Sequence, residues 1–158
     1  PFNLPAKPAS QVDGYIEPGL NGRQSRINGA LYSFGHGLSY TTFQYSDIKL
    51  SSNRITPKQD VTVSCTVKNT GQRAGDEVVQ LYLRDVLSSV TTYEKKLVGF
   101  ERIHLTPGEA KHVSFTIKSR DMELLNADNH WVVEPGDFKV MVGSSSEDIR
   151  QTAIFTVK

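Results

Sequence analysis

Apolar and polar side chains alternate with a period of two along much of this chain, and this feature leaves it few folds. Val61, Val63, Cys65 and Val67 alternate with Thr62, Ser64 and Thr66. An extended backbone points successive side chains to opposite faces, so such a run has one apolar face and one wet face. Val113, Phe115 and Ile117 alternate in the same way with His112, Ser114, Thr116 and Lys118. Phe138, Val140 and Val142 alternate with Lys139 and Met141. Phe43 and Tyr45, followed by Ile48 and Leu50, predict a first strand. Val78 to Leu83 is an apolar run broken only by Gln80, short enough for a more deeply buried strand. Leu97 to Leu105 and Ile149 to Val157 predict two more. Only Arg120 to Leu125 has helical character, for one or two turns.

The runs are separated by turn chemistry. Residues 69–75 (Asn-Thr-Gly-Gln-Arg-Ala-Gly) divide two strands with residue types that tolerate positive φ. Thr106-Pro107-Gly108-Glu109 and Glu134-Pro135-Gly136-Asp137 share one form. Proline presets φ and glycine supplies the left-handed position that follows, which predicts a type II turn joining antiparallel strands at both places. Pro57 marks another boundary. Short strands in regular succession with almost no helix predict an all-β chain, a β-sandwich of about seven strands of the immunoglobulin or fibronectin type III kind. The antibody pattern of Cys, Trp and Cys is missing, since Trp131 is the only Trp and lies late in the chain.

Residues 1–40 differ from the rest. They hold Gly14, Gly19, Gly22, Gly29, Gly35 and Gly37, with Pro1, Pro5, Pro8 and Pro18. This composition predicts an irregular linker or tail, with the sandwich over residues 41–158. Phe2, Leu4, Leu31, Tyr32 and Phe34 are too apolar for a disordered tail and predict packing against a partner. Residue 1 is Pro and no signal peptide is evident, which reads as a piece of a longer chain.

Composition excludes several classes of function. Eighteen Lys and Arg face seventeen Asp and Glu, so the chain lacks the basic footprint of a nucleic-acid partner. No apolar stretch approaches the roughly 20 residues of a membrane-spanning helix. Cys65 is the only cysteine, which rules out an internal disulfide and a cysteine-based zinc site. Its place on an apolar phase reads as a small buried hydrophobe rather than a thiolate. His36, His104, His112 and His130 are scattered and show no metal-ligand spacing. His36, between Gly35 and Gly37, sits where the backbone can approach a neighbour, and reads as structural.

Catalytic constellations are equally lacking. A glycosidase needs two carboxyl groups about 5–9 Å apart across one sugar. Asp76-Glu77 and Glu147-Asp148 are sequence neighbours and cannot supply that spacing from a strand, so both read as solvated turn residues. Ser144-Ser145-Ser146 lacks the Gly-x-Ser-x-Gly elbow of a nucleophilic serine and reads as a loop. Gly35-x-Gly37 has no strand–helix unit around it and is no dinucleotide site. Tyr82, Tyr93 and Trp131 are candidates for stacking on sugar rings, against the simpler reading of core aromatics. Arg54, Arg73, Arg84, Arg102 and Arg120 read as surface pairing residues. No catalytic, cofactor-binding or metal-binding residue is assigned, and no cofactor is implied.

Five blocks resemble one family in order along the chain. They are Leu31-Tyr32-Ser33-Phe34-Gly35-His36-Gly37-Leu38-Ser39-Tyr40-Thr41-Thr42-Phe43; Val67 to Gly71 continuing through Gly75 to Tyr82; Lys96 to Phe100; Leu105 to Glu109; and Glu134 to Phe138 leading to Val142 to Ser146. Together they resemble the C-terminal fibronectin type III-like domain of glycoside hydrolase family 3, with the first block as its entry. The family usually has Pro where Ser33 stands and often Tyr where His36 stands, and residues 13–28 match nothing typical. The resemblance implies a parent enzyme that is a β-glucosidase, or alternatively a β-xylosidase, whose catalytic residues lie upstream of Pro1. It implies a non-catalytic auxiliary domain that supports the upstream catalytic domains of the same chain, or the contacts of a parent homodimer. A carbohydrate-binding module is the alternative. Periplasmic or secreted location is a further expectation of the resemblance.

Overall fold

A computed structural model describes residues 32–158, and the expected sandwich is what they form. Ten strands follow in order: β1 (Phe43–Leu50), β2 (Arg54–Ile55), β3 (Val61–Asn69), β4 (Gly75–Asp85), β5 (Lys96–Leu105), β6 (Ala110–Ile117), β7 (Leu124–Leu125), β8 (Trp131–Val132), β9 (Gly136–Gly143) and β10 (Ile149–Val157). Seven of them are eight residues or longer, and these are the seven that the alternating and apolar runs predict. The two-residue strands β2, β7 and β8 are too short to show a period.

One sheet has the order β1-β3-β6 and the other β2-β10-β9-β4-β5. All pairings are antiparallel except β2 with β10. Val61, Val63, Cys65 and Val67 of β3 face Val79, Leu81 and Leu83 of β4 across one continuous core. Phe138 and Phe155 are register partners and stack within it, ring centroids 5.5 Å apart. Strand β1 changes phase between Tyr45 and Ile48, and a register shift between Ser46 and Lys49, with Asp47 at φ +56°, accounts for it. A bulge moves Ile48 and Leu50 back toward the core that Phe43 and Tyr45 already face.

Three local expectations need correction. Arg120 to Leu125 is not a helix of one or two α-turns. A single 3₁₀ turn spans Ser119–Asp121, and Leu124 and Leu125 then pair with Val132 and Trp131. Met122 and Leu124 are both buried, and a continued helix would carry one of them away from the core. The Glu134–Asp137 stretch is not a type II turn. Gly136 sits at φ +155° rather than the roughly +80° such a turn needs, and it opens β9 opposite Val157. By contrast, Gly108 at φ +80° and a 3.0 Å bond from Glu109 N–H to the Thr106 carbonyl close the other turn as expected.

The third correction concerns residues 69–75, which use no positive φ. Gly71 is there for space, because a Cβ would overlap the Thr41 hydroxyl. Asn69 is fully buried, and its side chain organises the loop. Its Nδ2 donates to the carbonyls of Arg73 (2.7 Å) and Leu105 (3.0 Å). Its Oδ1 accepts from Thr41 Oγ1 (2.8 Å) and Gly71 N–H (3.0 Å). Both amide protons and both acceptor sites are thus used, tying the 69–75 loop to the segment before β1 and the end of β5.

Removing a partner from a buried hydrogen bond costs the desolvation of what is left behind. Asn69→Ala is therefore expected to destabilise the domain by about 2–4 kcal/mol in urea unfolding. Asn69→Asp should also destabilise it, because a carboxylate cannot donate to two carbonyls.

Candidate functional site

Strand β4 is central in its sheet and is buried on both faces over Val79–Leu83. Val79, Leu81 and Leu83 enter the core. Gln80 and Tyr82 point to the outer face, where Met141 lies opposite Tyr82 on β9. All three are buried, so something covers the outside of the sheet.

Part of the cover is the segment 33–36, which leads into β1. Gln80 Nε2 donates to the carbonyls of Gly35 (3.1 Å) and Ser144 (2.5 Å), while its Oε1 accepts from the Tyr82 hydroxyl (2.5 Å). Ser146 N–H donates to the Phe34 carbonyl at 2.9 Å. Gly35 adopts φ +78°, and a Cβ there would overlap the Gln80 amide. Only glycine meets both requirements, the backbone conformation and the approach. Burial pushes the Tyr82 phenol up to about 12, so it remains a neutral donor at physiological pH. Lys95 Nζ fixes the same loop from the other side, donating to the Ser146 carbonyl at 2.6 Å.

The outer face beyond this strap is apolar at its centre and charged at its margin. Phe100 lies opposite Gln80 and Val78 opposite Arg102 in the β4–β5 register. Phe100 is 68% exposed, and Val78 is exposed as well. Asp76 then accepts from Arg102, and its Oδ1 lies 2.6 Å from His104 Nδ1. These two partners, Arg102 above all, hold the Asp76 carboxyl below the usual carboxylate range. On the strap, Tyr32 stacks on His36 with ring centroids 5.3 Å apart. Tyr32, Leu38 and Tyr40 are largely exposed.

Other sequence candidates fall elsewhere. Asp76 and Glu77 are strand residues, not the solvated turn pair expected, and they face opposite ways. Glu77 accepts a 2.6 Å bond from the buried Tyr45 hydroxyl, and burial raises its carboxyl pKa. Glu147 and Asp148 do lie in a loop, where Asp148 pairs with Arg150. Cys65 is buried, and desolvation pushes its thiol up to about 11, which leaves no thiolate for chemistry. Ser145 and Ser146 are buried in the loop that holds the strap. His112 is exposed on β6, and His130 lies in the β7–β8 turn. Among the described residues no three His, Cys, Asp or Glu gather into a metal site, and no helix is long and apolar enough to cross a membrane.

Of the three aromatic candidates for sugar stacking, Tyr82 is excluded by its burial. Trp131 (69% exposed, on β8) and Tyr93 (in the β4–β5 loop) remain on the surface, but the structure does not join them to Tyr82 in one platform. Arg84 pairs with Glu94 at 3.8 Å and Arg102 with Asp76, as surface arginines do. Gln80 was visible in sequence only as the polar break in an apolar run. Its importance lies in the backbone it holds, 45 residues away.

Residues 77–146, from β4 to the loop after β9, match the fibronectin type III-like domain family. A β-xylosidase of Formosa agariphila is 50% identical over 129 residues, which is 81% of this chain and 18% of that protein. The periplasmic β-glucosidase of Salmonella typhimurium is 42% identical over 151 residues, 96% of this chain and 19% of its own length. A crystal structure of β-glucosidase from Listeria innocua, solved with isofagomine, superposes with a TM-score of 0.78 at 33% identity. That match covers 97% of this chain and 21% of the Listeria chain. The chain carries a fibronectin type III-like domain similar to one portion of these β-glucosidases and β-xylosidases. It spans less than a fifth of the length of the curated relatives it matches.

In this domain Glu77 has its pKa raised on folding, so the folded state prefers the protonated form. That preference stabilises fully below the unfolded carboxylate pKa and is lost as pH rises through the folded value. Glu77→Gln, which still accepts from Tyr45, is therefore expected to raise stability at pH 7. The gain should vanish below about pH 4, where wild type is also neutral. Chemical denaturation at the two pH values checks both. Gln80→Ala should cost about 1–3 kcal/mol by leaving the Tyr82 hydroxyl and two carbonyls unpaired. Limited proteolysis within residues 32–40 should quicken in the same variant.

Proposed function

We propose that this chain is the non-catalytic auxiliary domain of a β-glucosidase that hydrolyses terminal β-D-glucosyl residues. Residues 41–158 are the supporting module and residues 1–40 the crossing from the domain before it. The observation that carries this reading is the match itself. Relatives named β-glucosidase and β-xylosidase align along nearly the whole of this chain, and it accounts for under a fifth of them. The described residues support it physically. Their polar clusters hold the fold together, and Asp76, Glu77, Glu134 and Asp148 are engaged with structural partners.

A rigid body of this kind acts through area. An intramolecular interface of roughly 1,000 Å², mainly apolar, stabilises its neighbours by several kcal/mol before entropic and polar costs. We assign no catalytic, cofactor-binding or metal-binding residue to this chain, and place the reacting carboxyl groups in the remaining four-fifths of the parent.

Deleting residues 41–158 from the full-length parent is expected to lower its melting temperature. An unchanged melting temperature and unchanged assembly would sink the supporting role. The 158-residue chain should show no turnover of aryl β-glucosides or β-xylosides. Calorimetry with cello- and xylo-oligosaccharides should show no heat of binding, and a measurable heat would favour the carbohydrate-binding alternative.

A further inference from the structure

We propose that β6 (Ala110–Ile117) is a docking edge for a second copy of this chain. The two β6 strands pair antiparallel, so that two three-stranded sheets become one of six strands. The inference goes beyond the supporting role and does not depend on it.

The two large sheets present four edges, β1 and β6 on one and β2 and β5 on the other. Exposed edges invite pairing, and proteins blunt them with bulges or by keeping them short. Three of these edges are blunted. Strand β1 is broken by the register shift between Ser46 and Lys49. Strand β2 has two residues. Strand β5 leaves Val98 over, because Leu81 pairs with Gly99 and Tyr82 with Leu97. Strand β6 has no such device. Its eight residues pair with β3 one for one, from Val61 with Ile117 to Lys68 with Ala110. It contains neither proline nor an acidic residue, and its one lysine, Lys111, stands near the end.

The outward edge carries free backbone groups. Asn69 N–H donates to the Glu109 carbonyl at 2.9 Å, so Glu109 is turned toward β3. Hydrogen-bonding direction alternates along an antiparallel strand. The odd-numbered residues from Lys111 to Ile117 therefore direct their backbone groups to β3, whereas Ala110, His112, Ser114 and Thr116 direct theirs outward. Among the described residues nothing is bonded to these outward groups.

A second copy is the occupant that this edge matches. A two-fold axis through Val113, perpendicular to the sheet, sets His112 against Ser114 and Ala110 against Thr116 of the other copy. Each pair exchanges two backbone bonds, so every outward N–H meets a carbonyl. Paired side chains fall on one face, and the exposed His112, Ser114 and Thr116 stay on the wet one. Val113 meets Val113 and Lys111 meets Phe115, so no like charges stand opposite each other. The half-buried Phe115 gains cover from the Lys111 stem. The contact is isologous, and it closes at two copies.

Sedimentation equilibrium and cross-linking test the edge. The 158-residue chain should reach twice its monomer mass as its concentration rises. Ser114→Pro removes an outward N–H that the monomer does not use, and proline is tolerated at such an edge. It should weaken the association by about tenfold or more without unfolding the dilute chain. A short bis-maleimide should link Ser114→Cys copies, whose two sites stand roughly 9 Å apart across the axis. Thr62→Cys is the control, because Thr62 is exposed on β3 and its two sites lie three strand spacings apart, more than about 14 Å. The first variant should link about tenfold faster than the second. Cys65 is buried and stays silent. A monomer at every concentration would overturn the proposal. So would equal linking rates in the two cysteine variants, or a dimer left intact by a folded Ser114→Pro chain. If Ser114→Pro does not fold, the cross-linking comparison decides alone. In the full-length parent Ser114→Cys should link as well. Linking in the short chain only would mean that another part of the parent occupies β6, and the proposal would fall. The supporting role is read from the melting temperature after deletion, so it stands or falls separately.

Discussion

A strand buried on both faces has no solvent to satisfy its polar side chains, and β4 is that strand. Its inward residues Val79, Leu81 and Leu83 need only apolar neighbours, which β3 and β9 provide. Its outward residues Gln80 and Tyr82 need hydrogen-bond partners of their own. Tyr82 uses Gln80, and Gln80 uses the backbones of Gly35 and Ser144. The position of the strap, the conformation of Gly35 and the burial of the Ser145–Ser146 loop all follow from completing that chain of bonds.

The same economy governs the other polar groups. Asn69 meets its full hydrogen-bonding capacity at one end of the sandwich. Tyr45 donates to Glu77 at the β1 side, and Asp76 is paired on the outer face with Arg102 and His104. No buried side-chain nitrogen or oxygen among the described residues lacks a partner. Reaction chemistry depends on groups held ready for a substrate, whereas here the buried groups are committed to one another. That pattern fits a body whose contribution is shape and rigidity.

Much of this was legible in the chain itself. Most of the long strands follow from alternation, because a half-buried strand has a period that no other element shares, and β4 follows from its short apolar run. The bulge in the first strand came from the structure, where a register shift at Asp47 turns both Phe43–Tyr45 and Ile48–Leu50 inward. What escaped notice was non-local. Nothing in Asn69-Thr70-Gly71 distinguishes an αL turn residue from a buried side-chain hub, because the partners Thr41 and Leu105 lie 28 and 36 residues away. Tyr82 could be read as a stacking aromatic or a core aromatic, and the core reading holds because segments distant in sequence cover it. The Glu134-Pro135-Gly136-Asp137 motif matches a true turn at 106–109, and only pairing with β10 makes Gly136 the first residue of a strand.

Local pattern therefore determined which segments are strands and which of their faces are apolar. These properties depend on backbone geometry and on side-chain type over a few positions. Tertiary structure decided which outer face is covered, which carboxylates are buried or paired, and where the exposed Phe100 stands relative to the entering chain. Those depend on which strands become neighbours across the sheet, and that order is set by the packing of the whole sandwich rather than by any single run of residues.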